Sequence, residues 1–208
     1  MSDALDYLIK VRPDAVLPYF KFLKEAGKHL DTRTRDLISV ITKVSSQTEK
    51  GFRQYLTRAL RNGATPHEVL DALLMAFPVL GLAKIVWAVD ILLDMDIPEF
   101  RPELIDAEPR WHDLIALDDI PDGETLYRQC DGRELFIHRD GDETRVYDSR
   151  CPHQVTDIPE LALDGVKLTC PKHEWAFDVR TGECIEKGNR PLHRFKTREE
   201  GGRLSAFW

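Results

Sequence analysis

The chain has 208 residues, 42% hydrophobic and 31% charged, with a formal net charge of −7. That length can bury one large core or two small ones. The acidic balance excludes nucleic acid as a general partner and argues against an anionic membrane, since both call for a basic face.

The opening residues, MSDALDYLIKVRPDAV, lack the basic segment and apolar stretch of a secretory leader. The longest apolar run, 72–83, is broken by Pro78 and Gly81 and is too short to span a bilayer. A cytoplasmic chain with no membrane contact is the expectation.

The first hundred residues read as helices. Leu37, Ile38, Ile41 and Val44 recur at helical spacing, as do Phe52, Tyr55, Leu56, Ala59 and Leu60. Asn62-Gly63 supplies a C-terminal stop. Thr65-Pro66-His67-Glu68 then carries a capping-box signature, with proline where its missing N–H costs nothing. Pro78 and Gly81 are expected to break or kink the helix that this box opens, and 85–93 resumes an apolar helix. The stretch 96–109, DIPEFRPELIDAEP, reads as a linker.

Beyond it, short runs rich in Val, Ile, Leu, Phe and Tyr alternate with turn signals. These are Asp122-Gly123, Asp131-Gly132, Asp140-Gly141, Asp164-Gly165, Thr181-Gly182 and Gly201-Gly202. Such spacing predicts an antiparallel β body, with strands at 134–139 and 144–148. The expected architecture is therefore multidomain: all-α over 1–95, a linker over 96–109 and all-β over 110–208. The β half is the more acidic, at net −5 over 109–208 against −2 over 1–108. That imbalance bears on docking a basic partner protein.

Four cysteines in a reducing compartment point to metal binding before disulfides. Two of them sit in Cys151-Pro152-His153 and Cys170-Pro171-Lys172-His173, with 16 residues between the inner ligands. Two thiols and two imidazoles suit a structural zinc site. They equally suit a [2Fe–2S] centre in which two histidines replace two cysteines on one iron, and a third reading leaves them as unrelated core residues. Cys-x-His is tight for one ion held by both ligands of a knuckle, but suits two metals a few ångström apart. Cys130 and Cys184 have no ligand-like spacing and read as buried or half-buried thiols rather than a disulfide or a third site. His29, His67, His112, His138 and His193 read as surface or capping residues.

These loops resemble those of Rieske ferredoxins. WHDLIALDDIPDG (111–123) resembles that family's opening strand and turn, and DGRELFIHRDGDETRVYDSRCPH resembles its strands into the first cluster loop. LTCPKHEWAFDVRTGE resembles the second loop and its hairpin, so the likeness covers about 110–208. It implies a Rieske-type [2Fe-2S] cluster, with Cys151 and Cys170 on an inner iron and His153 and His173 on an outer one. With two thiolates only, the oxidised centre is neutral, so an electron enters more easily than at a four-thiolate centre. High-potential relatives add a cysteine pair where this chain has Thr156 and Lys172, and a serine and a tyrosine where it has Trp175 and Phe177. Without those donors the potential is expected near the low end of the range, about −150 mV. Glu174 stands where many relatives have glycine.

The helical half resembles the carboxymuconolactone decarboxylase / alkylhydroperoxidase-D-like family over about 15–95. LDTRTRDLI, RALRNGATPHEVLDALL and the Gly81 turn carry the likeness. The peroxidase pattern of glutamate, two cysteines and histidine falls here on Ser45, Thr48, Gly51 and Tyr55, and the decarboxylase histidine also falls on Tyr55. With no thiolate nucleophile or resolving partner, neither activity carries over, and no catalytic residue is assigned. The likeness implies a silent, homo-oligomerising helical domain. A modified pocket lined by Tyr55, Ser45 and Thr48 is the alternative.

The leading expectation is a ferredoxin that takes single electrons from an NAD(P)H-dependent reductase to a terminal oxygenase. A single-chain redox enzyme or sensor with a hydrophobic substrate beside the cluster, and a zinc-stabilised binding module, stand behind it. Only 35 residues follow His173, so the mononuclear-iron domain of an oxygenase proper is not expected. No Gly-x-Gly-x-x-Gly is present, so neither is a nicotinamide or flavin reductase.

Overall fold

The computed structural model describes residues 3–208 and opens on helices α1 (Asp3–Val11) and α2 (Pro13–Ala26). Neither contributes a fully buried side chain among those described. The helical core forms from the next four helices: α3 (Thr32–Ser45), α4 (Glu49–Arg61), α5 (Pro66–Leu80) and α6 (Leu82–Asp94). Their starts and stops are local. Asp31 caps α3 by accepting from the Thr34 amide at 2.9 Å. Past the end of α4, Gly63 takes φ +89°, and the amides of Gly63 and Ala64 donate to the carbonyls of Leu60 and Ala59. Thr65 and Glu68 close a reciprocal capping box at α5. Helix α5 runs through Pro78 to Leu80, and the break falls at Gly81, whose φ is +79°. A proline in a last turn removes one N–H, whereas the left-handed backbone at Gly81 cannot continue a helix.

Val40, Val44, Phe52, Leu56, Val69, Leu73 and Ala88 fill the space between these helices. Fully burying each larger side chain among them contributes about 1.5–3 kcal/mol. Ile38 keeps the predicted helix but points outward, at 49% exposure. One charge lies within this body: Asp36 is fully buried, 2.5 Å from Arg58 and 2.6 Å from the donating amide of Asn62.

The segment read as a linker is a packed strap. A 3₁₀ turn at Pro98–Phe100 buries Pro98 and Phe100, and Ile97 and Phe100 join the helical core. Glu99 pairs with Arg133 at 2.5 Å, and Arg101 donates to the Gly132 carbonyl at 2.7 Å. Sequence composition misses this because the apolar residues pack on the helical core while Glu99 and Arg101 reach Arg133 and Gly132, all partners distant along the chain.

That half has three antiparallel sheets. Strands β1 (Trp111–Ala116), β10 (Arg203–Phe207) and β9 (Lys196–Glu200) form the first. Strands β2 (Thr125–Cys130), β3 (Arg133–Asp140) and β4 (Glu143–Asp148) form the second. Strands β5 (Leu163–Asp164), β6 (Lys167–Thr169), β7 (Ala176–Asp178) and β8 (Cys184–Glu186) form the third. The β2–β3 hairpin turns on Asp131 and Gly132 at φ +44° and +81°, a turn whose twist matches its strands. Strand β3 is buried on both faces: Leu135 and Ile137 enter one core, with Val146 and Leu204, while Phe136 enters the other. That second core also contains Cys151, Cys170, Phe177 and Leu192, so the sheet supports the ligand loops from below.

Two predicted surface histidines are interior. His138 is 1% exposed and bonded to Thr125 Oγ1 at 3.0 Å. His112 is also buried, its Nδ1 2.6 Å from Asp131 Oδ2 and its ring stacked on Trp208 at 4.0 Å. Among the described residues no helix is long and apolar enough to cross a membrane.

Candidate metal centre

The two Cys/His loops repeat one backbone design. In the first, the Cys151 amide donates to the Thr156 carbonyl at 2.9 Å, and the Val155 amide returns to the Cys151 carbonyl at 2.9 Å. In the second, Cys170 donates to Trp175 and Glu174 returns to Cys170, both at 2.8 Å. Each loop therefore closes five residues after its cysteine, with the fourth residue left-handed: Val155 at φ +49° and Glu174 at φ +56°. Neither is glycine, so both positions are strained. The histidine comes two residues after the cysteine in one loop and three after it in the other. The sequence shows that offset; the structure shows that it sits on a common turn.

The loops bring the four predicted side chains together. Cys151 and Cys170 are fully buried in the same core. The His153 and His173 rings stand 4.3 Å apart and edge-on, half-buried. Sharing its proton with Cys170 pushes the Cys151 thiol up, and burial adds to this. The same hydrogen bond, with the Lys172 and His173 amides, brings Cys170 down to about 6. Burial lowers His153 to about 4, with smaller contributions from His173 and Arg190. Burial and then Lys172 also lower His173. Both imidazoles are thus held in the neutral, ligating form.

The Nδ1 atoms of both histidines are buried and lack a hydrogen-bond partner. Buried polar atoms are rarely left so, and two orphans beside a thiol pair mark a place for something else to bind. Two soft sulfur donors and two imidazole nitrogens fit a mixed-ligand iron–sulfur group.

The surroundings differ between the loops. Val155 packs against the helical core, and Arg150 donates to the carbonyls of Met95 and Val155, both at 3.2 Å. Arg190 donates to the Pro152 carbonyl at 3.0 Å. The indole of Trp175 stacks on His153 at 4.8 Å and 7°. A Cβ on Gly188 would lie 2.2 Å from Trp175, so only glycine lets the indole settle there. Phe177 is fully buried beneath. Glu174 is exposed and ion-paired with Lys187. Although the chain is acidic, the charges acting on the imidazoles include Lys172, Arg190 and Lys50 of α4, all positive.

The remaining candidates lie elsewhere. Cys130 and Cys184 are half-buried free thiols, with Cys184 packed beside the ligand-loop core. The Tyr55 ring carries Arg58 at 4.4 Å and Lys43 at 5.2 Å. Thr48 is bonded to Ser46, and Ser45 lines a groove of about 390 Å³ between α3 and α5. That groove takes Ser45 in its lining but neither Tyr55 nor Thr48. Val155 and Arg190 are the neighbours that sequence reasoning missed; a β-branched residue in a turn was the only local signal.

A β body ending in two buried-thiol, imidazole-bearing loops is that of a Rieske-type iron–sulfur protein. Residues 110–196 match the Rieske [2Fe-2S] domain, and the chain belongs to that family. Residues 13–94 match the carboxymuconolactone decarboxylase family. The chain is 37% identical over 94 residues to the ferredoxin component of an alkene monooxygenase system from Xanthobacter autotrophicus, covering 44% of this chain and 76% of that one. It is 32% identical over 75 residues to the ferredoxin component of the naphthalene 1,2-dioxygenase/salicylate 5-hydroxylase systems of a Ralstonia species, covering 36% and 72%. Among solved structures it is similar to the ferredoxin of carbazole 1,9a-dioxygenase from Nocardioides aromaticivorans, at 23% identity and TM-score 0.37, covering 48% and 97%. The protein is a Rieske electron carrier with a [2Fe-2S] cluster, fused to a helical domain.

Proposed function

We propose that Cys151 and Cys170 hold the inner iron, that His153 and His173 hold the outer one, and that the chain carries single electrons from an NAD(P)H-dependent reductase to a terminal oxygenase. The pair of orphaned Nδ1 atoms above the buried thiols carries this reading. The bound group supplies a one-electron couple. The chain's own residues do the rest. Phe136, Phe177 and Leu192 exclude water from the sulfur side. The half-buried imidazoles form the side from which an electron leaves, and Lys172 and Lys50 favour a partner that presents carboxylates there.

The domain limits, 1–95, 96–109 and 110–208, and a cytoplasmic location belong to the same proposal. So does homo-oligomerisation through the helical domain. Met75 and Val79 of α5 are 82% and 87% exposed, and Tyr7, Tyr19 and Phe22 of α1–α2 are exposed as well. Apolar faces of this kind are covered in stable proteins.

The test is elemental and spectroscopic. Two irons and two sulfides per chain, with an EPR signal only after reduction, are expected. A single zinc and no colour would overturn the assignment. Electron transfer from reductase to oxygenase that survives Tyr55→Ala supports the carrier over a helical-domain enzyme.

A further inference from the structure

The helical and β bodies leave a cavity of about 1520 Å³ between them. It lies among the end of α4, the start of α5, the strap, and the segments 150–155 and 190–195. Small-molecule sites occupy about 300–1,000 Å³, so there is room for a ligand of that kind. Leu60, Ala64, Leu104, Val155, Leu192 and Trp208 give it an apolar lining.

Its charged groups are unevenly satisfied. Arg133 is paired with Glu99 and Asp148, Arg150 with Asp96, Arg110 with Asp131, and Arg194 with Glu143. Arg61, the last residue of α4, and Arg190 also line the cavity, and among the described residues neither meets a carboxylate. Burial and the nearby Arg61 charge both push the Arg190 pKa down. Arg61 is exposed and solvated, but Arg190 is half-buried and faces that like charge, so an anion between the two relieves Arg190. Glu103 and Glu108 of the strap also line the space, so a second negative charge on the ligand would be repelled.

We propose that this interdomain cavity binds a small apolar monocarboxylate, of the aromatic-acid class, with its carboxylate between Arg61 and Arg190. Guanidinium groups bind carboxylates through paired, charge-assisted hydrogen bonds, and the apolar lining takes the ring. Arg190 also holds the Pro152 carbonyl of the first ligand loop, so the bound carboxylate sits next to the redox centre. Reduction adds a negative charge there. The reduced protein therefore binds the acid more weakly, and by reciprocity the acid lowers the potential. The proposal does not depend on which proteins exchange electrons with the centre.

The experiment titrates the cluster-loaded full chain with 2-naphthoate by calorimetry, with the neutral 2-naphthamide as control. A Kd below about 1 mM is expected for the acid, and binding of the amide at least about tenfold weaker. Arg61→Ala alters an exposed helix end, and Arg190→Gln keeps a donor for Pro152. Each is expected to weaken 2-naphthoate at least about tenfold without changing the amide, and visible circular dichroism reports that the centre is intact. Equal binding of acid and amide, no binding of either, or full affinity in Arg61→Ala would overturn the site. Equal affinity of oxidised and reduced protein would remove the carboxylate from Arg190 and overturn its placement.

Discussion

The first and second ligand loops share a turn, a proline after the cysteine and a strained left-handed residue, yet they are held in place by different means. The first rests on the other body: Val155 is inserted against the helical core, Arg150 reaches the end of α6, and Arg190 clasps Pro152. The second is held by its own hairpin, with exposed Pro171, Lys172 and Glu174 and an ion pair to Lys187. The helical domain thus packs against the first ligand loop, while the second loop is exposed.

Substitutions in each loop probe that contrast. Cys151→Ser and Cys170→Ser remove one proposed inner ligand from each loop, and iron assay should show both falling from two irons per chain toward none. Retention of iron in only one of them would show that the loops are unequal even at their cores. His173→Cys should keep a centre but lower its potential by on the order of 100 mV or more, toward four-thiolate ferredoxins. Redox titration followed by EPR reads this, and an unchanged or higher potential would break the charge argument.

Val155→Asp should cost about 1–3 kcal/mol, through a carboxylate placed against the helical core. The loss should appear as a lower Tm together with an altered His153 environment. A fully retained Tm would mean that the first loop does not rest on the helical body. Gly188→Ala forces Trp175 off His153 and should cost a similar 1–3 kcal/mol or less, about the range for overpacking. Visible circular dichroism should change with it.

The smallest effect belongs to the second loop. Glu174→Gly relieves a left-handed backbone and gives up only an exposed ion pair, so Tm should rise slightly. A clear fall would show that Glu174 holds this loop more firmly than its exposure suggests.

Much of this molecule is encoded in short stretches. The stop at Gly63, the Thr65 box, the Asp-Gly hairpins and the two Cys/His spacings are local, because each is made by residues within a few positions of one another. Pro78 shows the limit, since a proline near a helix end reads as a break but is tolerated in a last turn.

By itself, then, the sequence determined the helical and β halves, the two Cys/His loops and the kind of group they suit. Tertiary structure alone decided that His112 and His138 are interior, that 96–109 is a strap, that Val155 is inserted against the neighbouring body, and that Arg61 and Arg190 share a cavity. The physical reason is distance along the chain: Arg61 and Arg190 are 129 positions apart, and no periodicity or spacing rule reports a meeting that only the packing of two bodies creates.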